Sequence, residues 1–455
     1  MERGKTYPIT IVDMGVDGEG IGRVGEMVVF VPMGIPGDRL AVRITQVKKR
    51  FARAEVVEVL SASDIRTGTV DGGCPFFGVC GGCAYLPIRY GAQLELKRKR
   101  VADALARIGG LEGIEVLPVL GAASPMHYRN KASFCVGYEN GRTVLGYRQR
   151  KGTQVVPIRD CRLLPPEMEA LRKRVEAEIN DLDLLPSGME GKGTKLRHVI
   201  LRQMQTGEAG VCFVVDGPDF PEGMVLGKAL GGKHGLTSIA YSGHDGRTGE
   251  ILGAAPKTLW GGGKVMEKMG ELEIGISPRA FYQVNSSQAQ VLYEKVDAFA
   301  GITEKDVVVD AYGGIGSIAL FLAPIAKKVY GIEINPDAVA DAQENAKKNG
   351  IGNVEFLCMD AGEGLLKLEE SGVRGDIMIL DPPARGCGEK TAQRVLAHGA
   401  KRIIYVSCDP ATLAKDLKLL AKGYDIQVVQ PVDMFCHTPH VECVVLMTRK
   451  QMKNF

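Results

Sequence analysis

From about residue 286 onward one pattern repeats, and it constrains the fold more than any other feature. Apolar runs "DVVVD" (306–310), "KKVYGIE" (327–333), "VEFLCMD" (354–360), "DIMILD" (376–381) and "RIIYVSC" (402–408) are each followed by a stretch of helix length. That rhythm is a parallel α/β sheet. Two further runs, "YDIQVVQPVDMF" (424–435) and "CVVLMTR" (443–449), are separated by a turn and read as a closing hairpin.

The rest of the chain has a different texture. Residues 1–61 read as short strands punctuated by glycine, which suggests a small OB-like antiparallel barrel. Residues 62–280 hold a cysteine-rich stretch, then hairpin-like runs expected to form an antiparallel sheet. A helix is expected over about 90–110, placed to pack on the C-terminal α/β domain that occupies 281–455. The chain is thus a multi-domain α/β protein.

Composition excludes little. Hydrophobic content of 45% and charged content of 24% are those of a globular chain, and a net charge of +3 does not by itself announce nucleic acid. Charge is nevertheless uneven: "RLAVRITQVKKRFAR" (39–53) and "KRKR" (97–100) are candidate phosphate footprints or solvated faces. No apolar stretch is long enough to span a bilayer and the start is not a signal peptide, so a cytoplasmic protein is expected, with no membrane and no protein partner implied. Its 11 cysteines are then reduced, metal-bound or catalytic.

"DVVVDAYGGIGSIAL" is a strand, a glycine turn and a helix start, and Gly313, Gly314 and Gly316 let backbone approach a ligand. Asp310, Glu333 and Asp360 end three successive strands, where open α/β sheets bind their ligands. Glu333 suits ribose hydroxyls and Asp360 an adenine amine; a helix N-cap is the plain alternative for each acid. With seven strands, SAM (S-adenosylmethionine) is preferred over a dinucleotide.

Asp381, in "ILDPPARG", puts a carboxylate on a stiff turn at the same crevice. Ala384 stands where enzymes that methylate exocyclic amines carry an aromatic residue, which argues against that chemistry. Cys408, in "YVSCDP", ends the fifth strand near a helix N-terminus, a position expected to favour a thiolate. A thiolate adding to carbon 6 of uracil would make carbon 5 nucleophilic. A base must then take the carbon-5 proton, and Glu442, after a loop bearing His437 and His440, is the candidate.

Two resemblances follow. "DGEGIGRVGEMVVFVPMGIPGD" resembles a TRAM domain, an RNA-binding barrel. "YRNKASFCVG", "AFYQVN", "DAYGGIG", "ILDPPARG", "YVSCDP" and "HVE" together resemble the RNA 5-methyluridine methyltransferase family. The resemblance implies Cys408 as nucleophile and Glu442 as base. It implies Gln283, Tyr312, Ser317, Glu333, Asp360 and Asp381 around cofactor and substrate. The chain departs from the family pattern at Gly313, Asp409 and Cys436, and none of these removes a reactive group.

Cys74, Cys80 and Cys83 have the spacing C-x5-C-x2-C, without the second close pair of a structural zinc site. The family resemblance supplies Cys161 as a fourth ligand and implies a [4Fe-4S] cluster. The expected reaction is methylation of uridine carbon 5 in structured RNA, foremost 23S ribosomal RNA. Transfer RNA, a small-molecule SAM methyltransferase and an RNA-binding protein without catalysis are the alternatives.

Overall fold

Five strands, β1 (Thr6–Met14), β2 (Gly20–Val24), β3 (Met27–Val31), β4 (Arg39–Val47) and β5 (Phe51–Ser61), close into a barrel in the order β1-β2-β3-β5-β4. The computed structural model describes residues 1–69, 72–150, 152–191 and 193–451. Alternate residues such as Ile9, Ile11, Leu40, Val42 and Ile44 point inward and fill the barrel. Gly22 is required where β1 and β2 close up: a Cβ there would meet the Thr10 carbonyl oxygen at 2.5 Å. Part of the basic 39–53 stretch is used within the barrel. Arg43 donates to Glu55 and Arg53 to Glu19, each at 2.7 Å, while Lys48, Lys49 and Arg50 are exposed on the β4–β5 turn.

The central sheet is mixed, where an antiparallel one was expected. Strands Ala209–Asp216 and Leu236–His244 pair in parallel. The helix Gly223–Leu230 lies between them in sequence and carries the chain back over the sheet, which a hairpin turn could not do. The remaining long pairings, such as Lys195–Gln203 with Lys131–Glu139, are antiparallel.

The C-terminal sheet follows the expected rhythm. Its strands are β6 (Val307–Asp310), β7 (Lys328–Glu333), β8 (Val354–Cys358), β9 (Ile377–Leu380), β10 (Arg402–Ser407), β11 (Tyr424–Val432) and β12 (Glu442–Arg449). They lie in the order β8-β7-β6-β9-β10-β12-β11, with β6 to β10 parallel and β12 antiparallel to both neighbours. One face buries the helix Ser286–Ala300. The hairpin Val265–Met269/Leu272–Ile276 shares that core, so the chain enters this layer before residue 281. The other face buries α1 (Tyr90–Ala104) through Val101 and Ala104, against Leu413 and Leu417 of α2 (Pro410–Leu420). Among the described residues no helix is long and apolar enough to cross a membrane.

Candidate active site

The sheet register builds the reactive pair. Ser407 of β10 pairs with Cys443 of β12, so Cys408 and Glu442, each one position further, stand opposite one another at the sheet's edge. Directly opposed residues project from the same face with Cβ atoms about 5 Å apart. Asp381, one residue past the end of β9, completes the group. Glu442 is 2% exposed, whereas Cys408 and Asp381 are half-buried.

The thiol is not activated at rest, contrary to the sequence expectation. Asp409 caps α2, its Oδ1 accepting from the N–H groups of Ala411 and Thr412 at 2.9 and 2.8 Å. The donors that would attract a thiolate are therefore occupied by a carboxylate. Burial, followed by the nearby Glu442 and Asp381, pushes the Cys408 thiol up to about 12. Burial, then Asp381, also holds the Glu442 carboxyl well above its usual range.

The cofactor residues gather at the neighbouring strand tips. Gly314 (φ 52°) and Gly316 (φ 84°) are left-handed, and a Cβ on Gly314 would meet nothing within 4 Å, so the turn faces open space. Glu333 grips the turn, accepting from Gly314 N at 3.0 Å and from Asn335 N at 2.7 Å. Asp360 is the N-cap of the helix Ala361–Glu370, accepting from Gly362 N at 2.9 Å, so the plain alternative holds for it. Tyr312 is half-buried beside the turn, Ser317 opens the helix Ser317–Leu322, and the backbone carbonyl of buried Gln283 accepts from Asn130 Nδ2. Asp310 is 1% exposed and its Oδ2 has no hydrogen-bond partner. Burial raises Asp310 and Asp381 to about 7 each, and Asp381 adds to the shift at Asp310. Three carboxyl groups crowded in a poorly solvated crevice, one with an orphaned oxygen, suit a cationic occupant.

The comparisons agree on the family. The model for tRNA (Uracil-5-)-methyltransferase matches residues 275–450, and the TRAM domain model matches 1–57. An RNA methyltransferase of Halalkalibacterium halodurans is 38% identical over 99% of this chain and 98% of its own length. One from Caldanaerobacter subterraneus is 37% identical over 98% of each. The chain belongs to the uracil-5 RNA methyltransferase family. Its fold superposes, with a TM-score of 0.76 and 25% identity, on the Pyrococcus abyssi tRNA (uracil-54, C5)-methyltransferase solved with S-adenosyl-L-homocysteine. The match covers 97% of this chain and all of that one. The small-molecule and non-catalytic alternatives give way to an RNA (uracil-5-)-methyltransferase with an N-terminal TRAM domain and SAM as the family's methyl donor.

That donor is a sulfonium cation, whereas its demethylated product is neutral. Asp310 and Asp381 are raised from about 3.9 to about 7, so between these values the folded protein holds protons that the unfolded chain has lost. The ligand-free enzyme should therefore lose stability as pH rises through that window. Affinity for SAM relative to S-adenosylhomocysteine should rise, by about tenfold, as pH passes from about 5.5 to about 8.5. Calorimetry with both ligands checks this, and a ratio that does not change with pH would contradict it.

The four cysteines of the motif share one cavity. Cys74, Cys80, Cys83 and Cys161 line one cavity of about 520 Å³ together with Arg129, Lys131, Arg148 and Arg162, and all four thiols are free. Burial, then Cys161, Cys80 and Cys74, pushes the Cys83 thiol up to about 12. Among the described residues no three ligands stand close enough to hold one metal ion. Of the six other cysteines, Cys212, Cys436 and Cys443 are buried, Cys135 and Cys387 are partly so, and Cys358 is exposed.

Proposed function

We propose that this enzyme methylates carbon 5 of uridine in structured RNA through a covalent adduct of Cys408. The register that sets Cys408 against Glu442 carries the reading. Cys408 Sγ gives its proton to solvent and bonds to uracil carbon 6, and the electrons of the 5,6 double bond move into an enolate of carbon 5, carbon 4 and its oxygen. SAM, when bound, supplies the methyl group as an electrophile. Glu442, having given its own proton to solvent, takes the carbon-5 proton; the electrons of that C–H bond re-form the 5,6 double bond, and the carbon–sulfur bond breaks to return the thiolate. Phe281, 69% exposed between buried Ala280 and Tyr282, offers a stacking face for a base that has left its helix.

Within this reading the substrate is 23S ribosomal RNA. The TRAM barrel and the cysteine site together support it, by their resemblance to the ribosomal RNA members. The similar P. abyssi enzyme acts on transfer RNA and matches along its whole length, which makes transfer RNA the second reading. Mass mapping of 5-methyluridine in both RNAs from a deletion strain decides between them: loss from ribosomal RNA alone is expected, and loss from transfer RNA alone would overturn the assignment.

The four thiols that line one cavity, with the spacing C-x5-C-x2-C and no second close pair, support a [4Fe-4S] cluster over zinc by the family resemblance. Four cationic side chains around the cavity also suit an anionic thiolate assembly. Protein purified without oxygen should be brown, with about four iron atoms per chain; a colourless, zinc-containing protein would exclude the cluster.

A further inference from the structure

The "KRKR" stretch is largely committed within the protein, with Lys99 its exposed member. All four side chains are engaged within the protein. Lys97 pairs with Asp433, both fully buried, Arg98 donates to the Val116 carbonyl, Lys99 pairs with Asp13 and Asp103, and Arg100 donates to the Val16 and Pro439 carbonyls. Helix α1 thus carries a polar stripe at the spacing expected of an apolar one: Tyr90, Gln93, Lys97 and Arg100 lie on one face.

That stripe grips one loop, residues 433–439, which leads directly into Glu442. Tyr90 Oη donates to Asp433 at 2.7 Å, and Lys97 Nζ also donates to the Phe435 carbonyl at 3.0 Å. Gln93 holds His437 on two sides: its Oε1 accepts from His437 N and its Nε2 donates to His437 Nδ1, each at 3.1 Å. The amide orientation is fixed because Nε2 also donates to the Tyr85 and Ile88 carbonyls. Nε2 carries two hydrogens, shared among these three acceptors, and burial pushes the His437 imidazole down to about 4, which keeps the ring neutral. His437 needs this support, because it is a non-glycine residue at φ 63°.

Glu442 is the first residue of its strand and pairs with Val432 of β11, so the sheet fixes the chain from Glu442 onward but not the segment before it. That segment includes the 433–439 loop. We propose that Gln93 and Lys97 are positioning residues for the catalytic base, fixing the 433–439 loop so that Glu442 meets the carbon-5 proton of the Cys408 adduct. The inference rests on Glu442 as that base. Neither residue touches substrate. Their loss should spare the steps made by Cys408 and slow the step made by Glu442, a division that a merely structural role would not produce.

The test compares the full-length wild-type enzyme with Glu442→Gln, Lys97→Met and the volume-conserving Gln93→Met. The probe is ribosomal and transfer RNA from a deletion strain labelled with 5-tritiated uridine. Four quantities are read: protein–RNA adduct stable to denaturant, tritium release, S-adenosylhomocysteine affinity and melting temperature. For both α1 variants we expect adduct to form at nearly the wild-type rate and tritium release to slow by about 100-fold, as for a reacting group misplaced by about 1 Å, with ligand affinity unchanged. Adduct formation and release that fall together, or that both stay at wild-type rates, would overturn the proposal. Should Lys97→Met fail to fold, Gln93→Met decides alone. Absence of adduct from Glu442→Gln would remove the base assignment itself and this proposal with it; adduct from Glu442→Gln but none from the α1 variants would remove only the positioning role.

Discussion

Replacing Cys408 by alanine should abolish methyl transfer and tritium release together while leaving RNA and S-adenosylhomocysteine binding intact. The expected loss is on the order of 10⁶-fold, the size of effect that follows removal of a covalent nucleophile. The structure gives the reason. Uracil carbon 5 is a poor nucleophile until carbon 6 is bonded, and the only sulfur placed across the sheet edge from Glu442 among the described residues is that of Cys408. Cys443, its neighbour in the register, is fully buried and its thiol is held well above the usual range. It cannot substitute. Cys408 is only half-buried and ends a strand rather than lying in it, so alanine there leaves no closed cavity and the fold should survive. Measured turnover above that of the RNA alone would remove Cys408 from the chemistry.

The second large effect is the opposite in kind. Glu442→Gln should trap the adduct instead of preventing it, with release slowed by about 10³-fold. Glu442 is buried and its carboxyl is held well above its usual range, by burial first and then by Asp381, so an amide of the same shape is accommodated there and the variant should fold. The amide cannot accept the carbon-5 proton, and without that step the carbon–sulfur bond has no route to break. Denaturing electrophoresis after incubation with RNA and SAM reads the result. A variant that releases free methylated RNA at the wild-type rate would pass the base role to another group, of which Asp381 is the nearest by its electrostatic influence on Glu442.

Much of this site was legible in the sequence for one physical reason. In a parallel sheet the functional side chains sit at strand tips, and the strands announce themselves as apolar runs. Asp310, Glu333, Asp381 and Cys408 all follow that rule, and each lies within one residue of a strand end. What escaped lies where no period marks it. The buried stripe of α1 reads in sequence as a basic, solvent-facing helix, because Gln93 and Lys97 take the places that apolar residues would occupy. Only their partners, more than 300 residues away at Asp433 and His437, explain them. The state of the thiol was legible only in part: the sequence sets Asp409 beside Cys408, but only the structure shows its carboxylate taking the free N–H groups of the helix. The mixed central sheet was missed because its parallel pair is joined through a helix of only eight residues, Gly223–Leu230, too short to stand out from the glycine turns around it.

Mass spectrometry of the trapped Glu442→Gln complex, digested with nuclease and protease, tests the account where it is most exposed. The predicted product is a peptide spanning the "YVSCDP" segment that carries one 5-methylated, 5,6-saturated uridine on Cys408. An unmodified Cys408, with the nucleotide on another residue or absent altogether, would contradict it.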